Sequence, residues 1–264
     1  MSALPKGPAM LLHLSTWPEI EAYLARSRTV VVPIGSNEQH GPTGLLGTDW
    51  LCPEIIARHA DGRGGDILVA PTFNIGMAQH HLGFPGTISL RPSTFIAVLG
   101  DWVRSLAAHG FQKIYFLNGH GGNVASIEAA FSELYAEASF ARRPAGYSLK
   151  LRNWWDLKGV GALAARQFPV GHGSHATPSE IAITQWAYPD AIKSGSYGPQ
   201  IAPAGRFAKP PISARVIRTG EWARTPAWPP LKRAASWWPW RRSRCWRMWK
   251  RSRPKRWWSK RDCY

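Results

Sequence analysis

Cysteine is scarce: Cys52, Cys245 and Cys263 are the only three in 264 residues. No disulfide framework and no cysteine-based metal site can be drawn from them, and a reducing cytoplasm is the expected compartment. No apolar run approaches the ~18 residues a membrane-spanning helix requires, and residues 1–14 have a broken apolar patch without a convincing cleavage region, so no export signal is expected. Internal repeats are absent too. Acidic residues are few, 16 Asp+Glu against 33 Lys+Arg, for a formal net charge of +17. Such an excess ordinarily points to nucleic acid or an anionic membrane. Its distribution argues otherwise, because residues 1–205 carry 15 Lys+Arg against 14 Asp+Glu while residues 206–264 carry 18 against 2. The charge belongs to the tail, and the balanced part is long enough for one α/β domain with a real core.

Within that part, apolar periodicity alternates between strand and helix. A helix is predicted over 17–25, with Ser15 or Thr16 as its cap, and a β-branched strand over 29–34. A helix over 49–60, a buried strand over 67–71 and a long amphipathic helix over 92–109 closed by Gly110 follow. A strand over 113–117, a helix over 124–140, a strand over 147–152 and a helix over 178–187 complete the pattern. Short apolar strands alternating with helices predict a mostly parallel sheet covered on both faces. Ligands of such sheets bind beyond the carboxyl ends of the strands.

Two segments rich in chemistry fall there. Gly35-Ser36-Asn37-Glu38-Gln39-His40-Gly41-Pro42, followed by Thr48-Asp49, comes after the second predicted element, and Asn118-Gly119-His120-Gly121-Gly122-Asn123 ends a later strand. Glu38 and His40 are two residues apart, so at a strand end both side chains leave the same face and can grip one centre. Asp49 and His120 would arrive on other loops around the sheet. A mixed nitrogen and oxygen set suits zinc, manganese or iron rather than calcium or magnesium. Three or four protein ligands leave a position for water, as a catalytic centre requires.

Residues 35–49, the run Phe84-Pro85-Gly86-Thr87-Ile88-Ser89-Leu90 and residues 118–123, in this order, resemble the creatininase family of metal-dependent amidohydrolases. The resemblance covers roughly residues 30–205. It implies a three-layer α/β fold with a mostly parallel sheet, assembly as a homo-oligomer, often a hexamer, and one or two divalent ions. The implied reaction is hydrolysis of a C–N bond in a small cyclic amide, formamide or related compound by a metal-activated water. Glu38, His40, Asp49 and His120 match the family's metal ligands, with Asp49 bridging where two ions are present. Gly122 stands where creatinine-active members carry a carboxylate. Glu180 matches the last Glu of a downstream family pattern and is the candidate fifth donor; its alternative is a helix N-terminal carboxylate complementing the dipole. His175 aligns with a histidine beside the substrate and would shuttle a proton as general acid and base, or else has a structural role. His81 matches a family histidine and His80 stands where the family has Glu; orientation of the ligands is the expected role for either, with a plain loop role open for His80. Asn118 and Asn123 would aim the ligands or donate to substrate, and Trp154 and Trp155 would wall the pocket or pack in the core. The stretch Thr43-Gly44-Leu45-Leu46-Gly47 also departs from the family, so creatinine is not inherited as the substrate. Relatives include deformylases and a peptidase of cofactor maturation.

Residues 1–206 are therefore expected to form the creatininase-like domain and residues 207–264 an aberrant basic tail. From Ile217 onward the tail holds nine tryptophans among Arg and Lys. One reading is a cationic aromatic arm that binds nucleic acid or a membrane surface. The preferred reading is out-of-frame translation beginning between about Phe207 and Ser213. Codons for Cys245 to Lys250, regrouped one base earlier, can read Leu-Glu-Asp-Val-Glu, and those for Glu221 to Lys232 permit a sequence similar to the family's C-terminal pattern. Such a tail would be poorly packed, and a pseudoenzyme would be a third outcome. No specific nucleic acid and no membrane partner is expected for the domain itself.

Overall fold

The computed structural model describes residues 9–60, 67–170 and 173–195, so the expectations for residues 207–264 lie outside the described residues. Five strands form one parallel sheet: β1 (Met10–Leu11), β2 (Thr29–Ile34), β3 (Leu68–Val69), β4 (Lys113–Asn118) and β5 (Ser148–Asn153), in spatial order β1-β3-β2-β4-β5. Six helices accompany them: α1 (Trp17–Leu24), α2 (Thr48–Arg58), α3 (Pro92–Ala108), α4 (Val124–Phe140), α5 (Val160–Gln167) and α6 (Pro178–Ala187).

Alternation along the strands divides the core into two. Val31, Val69, Tyr115 and Leu117 turn to one face and pack with Leu51, Ile55, Val160, Ala164, Ala182 and Ile183 from α2, α5 and α6. Val30, Val32, Ile34, Leu68, Ile114 and Phe116 turn to the other and pack with Tyr23, Phe95, Leu99, Val103, Ile127 and Leu134 from α1, α3 and α4. This period of two on both faces is what a fully covered parallel sheet demands, and the expected three-layer architecture is the one observed. Pro33 is tolerated in the central strand β2 because it turns its carbonyl toward the Phe73 N–H, 2.9 Å away, beyond the point where β3 has ended.

Local signals explain most boundaries. Thr16 and Glu19 close a capping box on α1, Pro92 opens α3, and Gly110 follows α3 with φ of 96°. The strand expected over 67–71 shrinks to two paired residues, continued by one bond from the Ala70 N–H to the Val31 carbonyl, 2.8 Å. Strand β1 and helix α5 were not expected from the sequence.

Strand register sets the stage for the site. Ile34 of β2, Asn118 of β4 and Asn153 of β5 lie side by side, so three strands end at one level. Successive strands leave β2 in opposite directions, to β3 on one side and β4 on the other, which opens a crevice at their carboxyl ends. Gly35 and Gly119 continue β2 and β4 there. A Cβ at either position would overlap the Asp49 backbone carbonyl, so only glycine lets the first turn of α2 sit directly against both strand ends.

Candidate metal centre

Glu38, His40, Asp49 and His120 come together in this crevice, all of them buried. His40 Nε2 lies 2.9 Å from Asp49 Oδ1, and His120 Nδ1 lies 2.8 Å from Asp49 Oδ2. His120 also faces the other carboxylate, with Nε2 3.4 Å from Glu38 Oε2. Ser36 donates to that same Oε2 at 2.9 Å, and the His40 Nδ1–H donates to the Glu38 carbonyl at 3.0 Å. The second bond fixes the His40 ring so that Nε2 points inward, as a ligating imidazole needs.

A second layer of histidines stands across Glu38. His81 Nε2 is 3.3 Å and His175 Nδ1 3.6 Å from Glu38 Oε1. Gln39 organises both rings. Its side-chain N–H donates to His81 Nδ1 at 3.1 Å, and its backbone carbonyl accepts from His175 Nε2 at 2.7 Å. In that arrangement His175 keeps a bare Nδ1 turned toward the centre. The residue after it, Ala176, is buried with φ of 49°, a conformation unusual for a residue with a Cβ and held here next to a site histidine.

Charge follows burial and proximity. Burial is the largest influence and works against a charged His40, but Asp49 together with Glu180 and Glu38 more than offsets it and raises the ring to about 10; for His120 burial is likewise offset by Asp49, Glu38 and the Met77 carbonyl, which raise it to about 9. Burial also pushes Asp49 upward, yet the two imidazoles beside it hold it far below the usual carboxylate range. Glu38 is pushed up to about 8 by burial and then by Asp49. Burial and neighbouring histidines lower His80 to about 4, His81 to about 2 and His175 to about 3, so these three rings are neutral near pH 7.

The donor set fits a divalent cation. Glu38 Oε1 is buried and accepts no hydrogen bond, the His81 and His175 ring nitrogens standing 3.3 and 3.6 Å away. Buried carboxylate oxygens left in that state are costly unless a cation or proton neutralises them. Three groups bring ligand atoms within 4.8 Å of one another, Glu38/His40/Asp49, Glu38/His80/His120 and Glu38/His81/His175.

The remaining expected residues have clear positions. Asn118 donates to the His120 carbonyl at 2.6 Å and to Asn153 Oδ1 at 2.8 Å, while its own Oδ1 accepts from the His120 N–H at 3.2 Å. Asn123 accepts from the Met77 N–H and donates to the Gly35 carbonyl, each at 2.9 Å. Both asparagines thus brace the ligand-bearing loops. Glu180 is buried at the start of α6, where it accepts from the Thr177 N–H in a capping box; burial raises it to about 7, and it feels the charges of His40 and Asp49. It belongs to none of the three groups above. Trp154 packs in the core beside Trp155. Gln39 was not anticipated, because a glutamine between two motif residues carries no spacing signal of its own.

A family profile described as creatinine amidohydrolase matches residues 13–231. The chain belongs to the creatininase family. The match runs past residue 206, beyond the described residues. Over 113 residues the chain is 39% identical to the mycofactocin precursor peptide peptidase of Mycolicibacterium smegmatis, a stretch that covers 41% of this chain and 45% of that one. Over 194 residues it is 30% identical to the creatinine amidohydrolase of Pseudomonas putida, covering 67% and 71%. The matched stretch is therefore less than half the length of the peptidase. A solved manganese creatininase superposes with a TM-score of 0.67 at 25% identity, covering 84% of this chain and 87% of that one. A creatininase variant of zinc–zinc type superposes at 0.70 and 24% identity, covering 89% and 94%. These creatininase structures share the three-layer arrangement around a parallel sheet.

Proposed function

We propose that the chain is a metal-dependent amidohydrolase that cleaves the C–N bond of a small amide, with Glu38, His40, Asp49 and His120 holding one or two ions of zinc, manganese or iron. The observation that carries this reading is the convergence of the buried Glu38 and Asp49 carboxylates with facing imidazoles at the open end of the sheet, one Glu38 oxygen accepting no hydrogen bond. A bound divalent cation supplies Lewis acidity, which lowers the pKa of water and offsets charge on a carbonyl oxygen.

The chain's own residues supply the rest. Asp49 presents one oxygen to each imidazole and so has the geometry of a bridge between two centres. His175, neutral and with Nδ1 bare, accepts a proton on the substrate side and returns it to the departing nitrogen. Gln39 keeps that ring in the tautomer the transfer needs. His81 Nε2 stands 3.3 Å from Glu38 Oε1 and steadies the carboxylate's orientation. Glu180 is the provisional fifth donor. Assembly as a homo-oligomer belongs to the same reading.

A peptide amide is the second reading, favoured by the 39% identity to a peptide peptidase. Metal analysis of the purified protein, with a substrate panel of cyclic amides, formamides and short peptides, tests both. Activity on one class that is abolished by chelation and by His120→Ala is expected. Unchanged metal content in His120→Ala would sink the ligand assignment.

A further inference from the structure

His80 is not accounted for by the roles above. It lies on the short 3-10 turn Gln79–His81, which is pinned by the His81 N–H to the Ala78 carbonyl at 2.9 Å and by the Ala78 N–H to Ser89 Oγ at 3.0 Å. That turn sets two consecutive histidines beside one carboxylate. His81 faces Glu38 Oε1, whereas His80 shares a ligand-distance group with Glu38 and His120. The His80 and His120 rings are nearly parallel, 9° apart with centroids at 5.8 Å. Position 122 contributes nothing there: it is glycine, and a Cβ on it would run into His120 Nε2. The room beside Gly122 is already taken by the His120 ring and the Met77 carbonyl, so no side chain at 122 can serve as a donor there.

We propose that His80 is a direct metal ligand, completing a Glu38–His80–His120 centre whose two imidazoles select zinc over manganese. The proposal rests on the metal-dependent reading above and extends it. Two imidazoles, His120 giving up its proton on binding, and one carboxylate form a three-ligand set with a fourth position free, a combination suited to zinc, whereas manganese favours oxygen-rich shells. Of the four ligands matched to the family, this centre uses Glu38 and His120. His80 replaces what a second carboxylate would otherwise supply.

The test uses the full chain, loaded separately with zinc and with manganese, as wild type, His80→Ala, His80→Glu and His120→Ala. Chelator competition measures affinity, and X-ray absorption on the zinc-loaded proteins counts imidazole ligands. In His80→Ala, zinc affinity should fall about 10–100-fold or more, manganese affinity should change much less, and the imidazole count should drop. His80→Glu should recover part of the zinc affinity at the same lowered count, and it serves if the alanine variant does not fold. Zinc affinity and imidazole count equal to wild type in both His80 variants overturn the proposal while leaving the metal-dependent reading intact. A wild type that binds neither ion overturns both, and zinc retained at full affinity in His120→Ala overturns the shared centre.

Discussion

Asp49 and His120 meet at 2.8 Å, carboxylate Oδ2 to ring Nδ1, across the end of the sheet. The contact joins the first turn of a helix to the loop that follows a strand about seventy residues later, and it is the tightest link between the two ligand-bearing segments. Asp49→Asn should therefore act twice. It should lower metal content measured on the purified protein, and it should destabilise the metal-free form by about 3–5 kcal/mol, because His40 and His120 then lose the buried charge that balances them. A variant with wild-type metal content and melting temperature would refute this.

Stability of the metal-free protein should depend on pH in a defined sense. His40 and His120 are raised from 6.5 to about 10 and about 9, so the stability they add is complete below pH 6.5 and drains away as pH climbs through 9 to 10. Glu38, raised from 4.5 to about 8, acts in the same direction between those values. Asp49 acts oppositely and loses its contribution only as pH falls below its ordinary 3.8. Below pH 6.5 the lowered His80, His81 and His175 work the other way, so chelator-stripped protein should melt progressively lower from about pH 6.5 to pH 10. Metal-loaded protein should reverse the trend up to neutrality, since binding releases these protons; parallel melting curves in the two forms would contradict it.

Glu180→Gln separates the two roles open to that residue. Glutamine at the third helical position still completes a capping box, so the melting temperature of the metal-free protein should change little. As a fifth donor, Glu180 should be missed in the metal count, which is expected to fall. An unchanged stoichiometry, measured alongside an unchanged melt, would leave it a cap alone.

Gly119→Ala should destabilise the fold by about 1–3 kcal/mol or more, the cost of forcing a methyl group into a filled space, since its Cβ would overlap the Asp49 carbonyl. Metal affinity should fall with it because Asp49 and His120 would be pushed apart. Gly121→Ala, where a Cβ meets nothing within 4 Å, is the control. Thermal melts and metal titrations of the pair decide the matter.

For residues 207–264 we propose the out-of-frame origin. Resequencing the gene across the codons for residues 205–215 should reveal a slipped base, and restoring the frame should replace the tryptophan-rich tail. An intact frame there would rule this out, and salt-dependent nucleic-acid binding that vanishes on cutting at 206 would favour the basic arm.

The proposed ligand set could be picked out from the sequence because its spacing is short or its motif distinctive: Glu38 and His40 share a strand end, and His120 sits in a glycine turn directly after an apolar strand. Strand β1 was not legible, since two residues carry no periodicity, and α5 was missed because Val160–Gln167 offers only two buried positions in eight residues. Gln39 escaped notice for a different reason. Its importance lies in contacts with residues 81 and 175, which no local pattern encodes. The proposal for His80 needed the structure as well, because only the fold brings it within ligand distance of Glu38 and His120.

The register that ends β2, β4 and β5 at one level also bears on how the protein folds. Residues 38, 81, 120 and 175 become neighbours only after strands distant in sequence have paired, so the centre closes late, when loop-closure entropy has already been met. An ion bound there would grip segments that nothing local holds together, and at a thousandfold excess over its Kd it would add about 4 kcal/mol against unfolding. The centre would then be a clasp on the native topology as well as a site of chemistry.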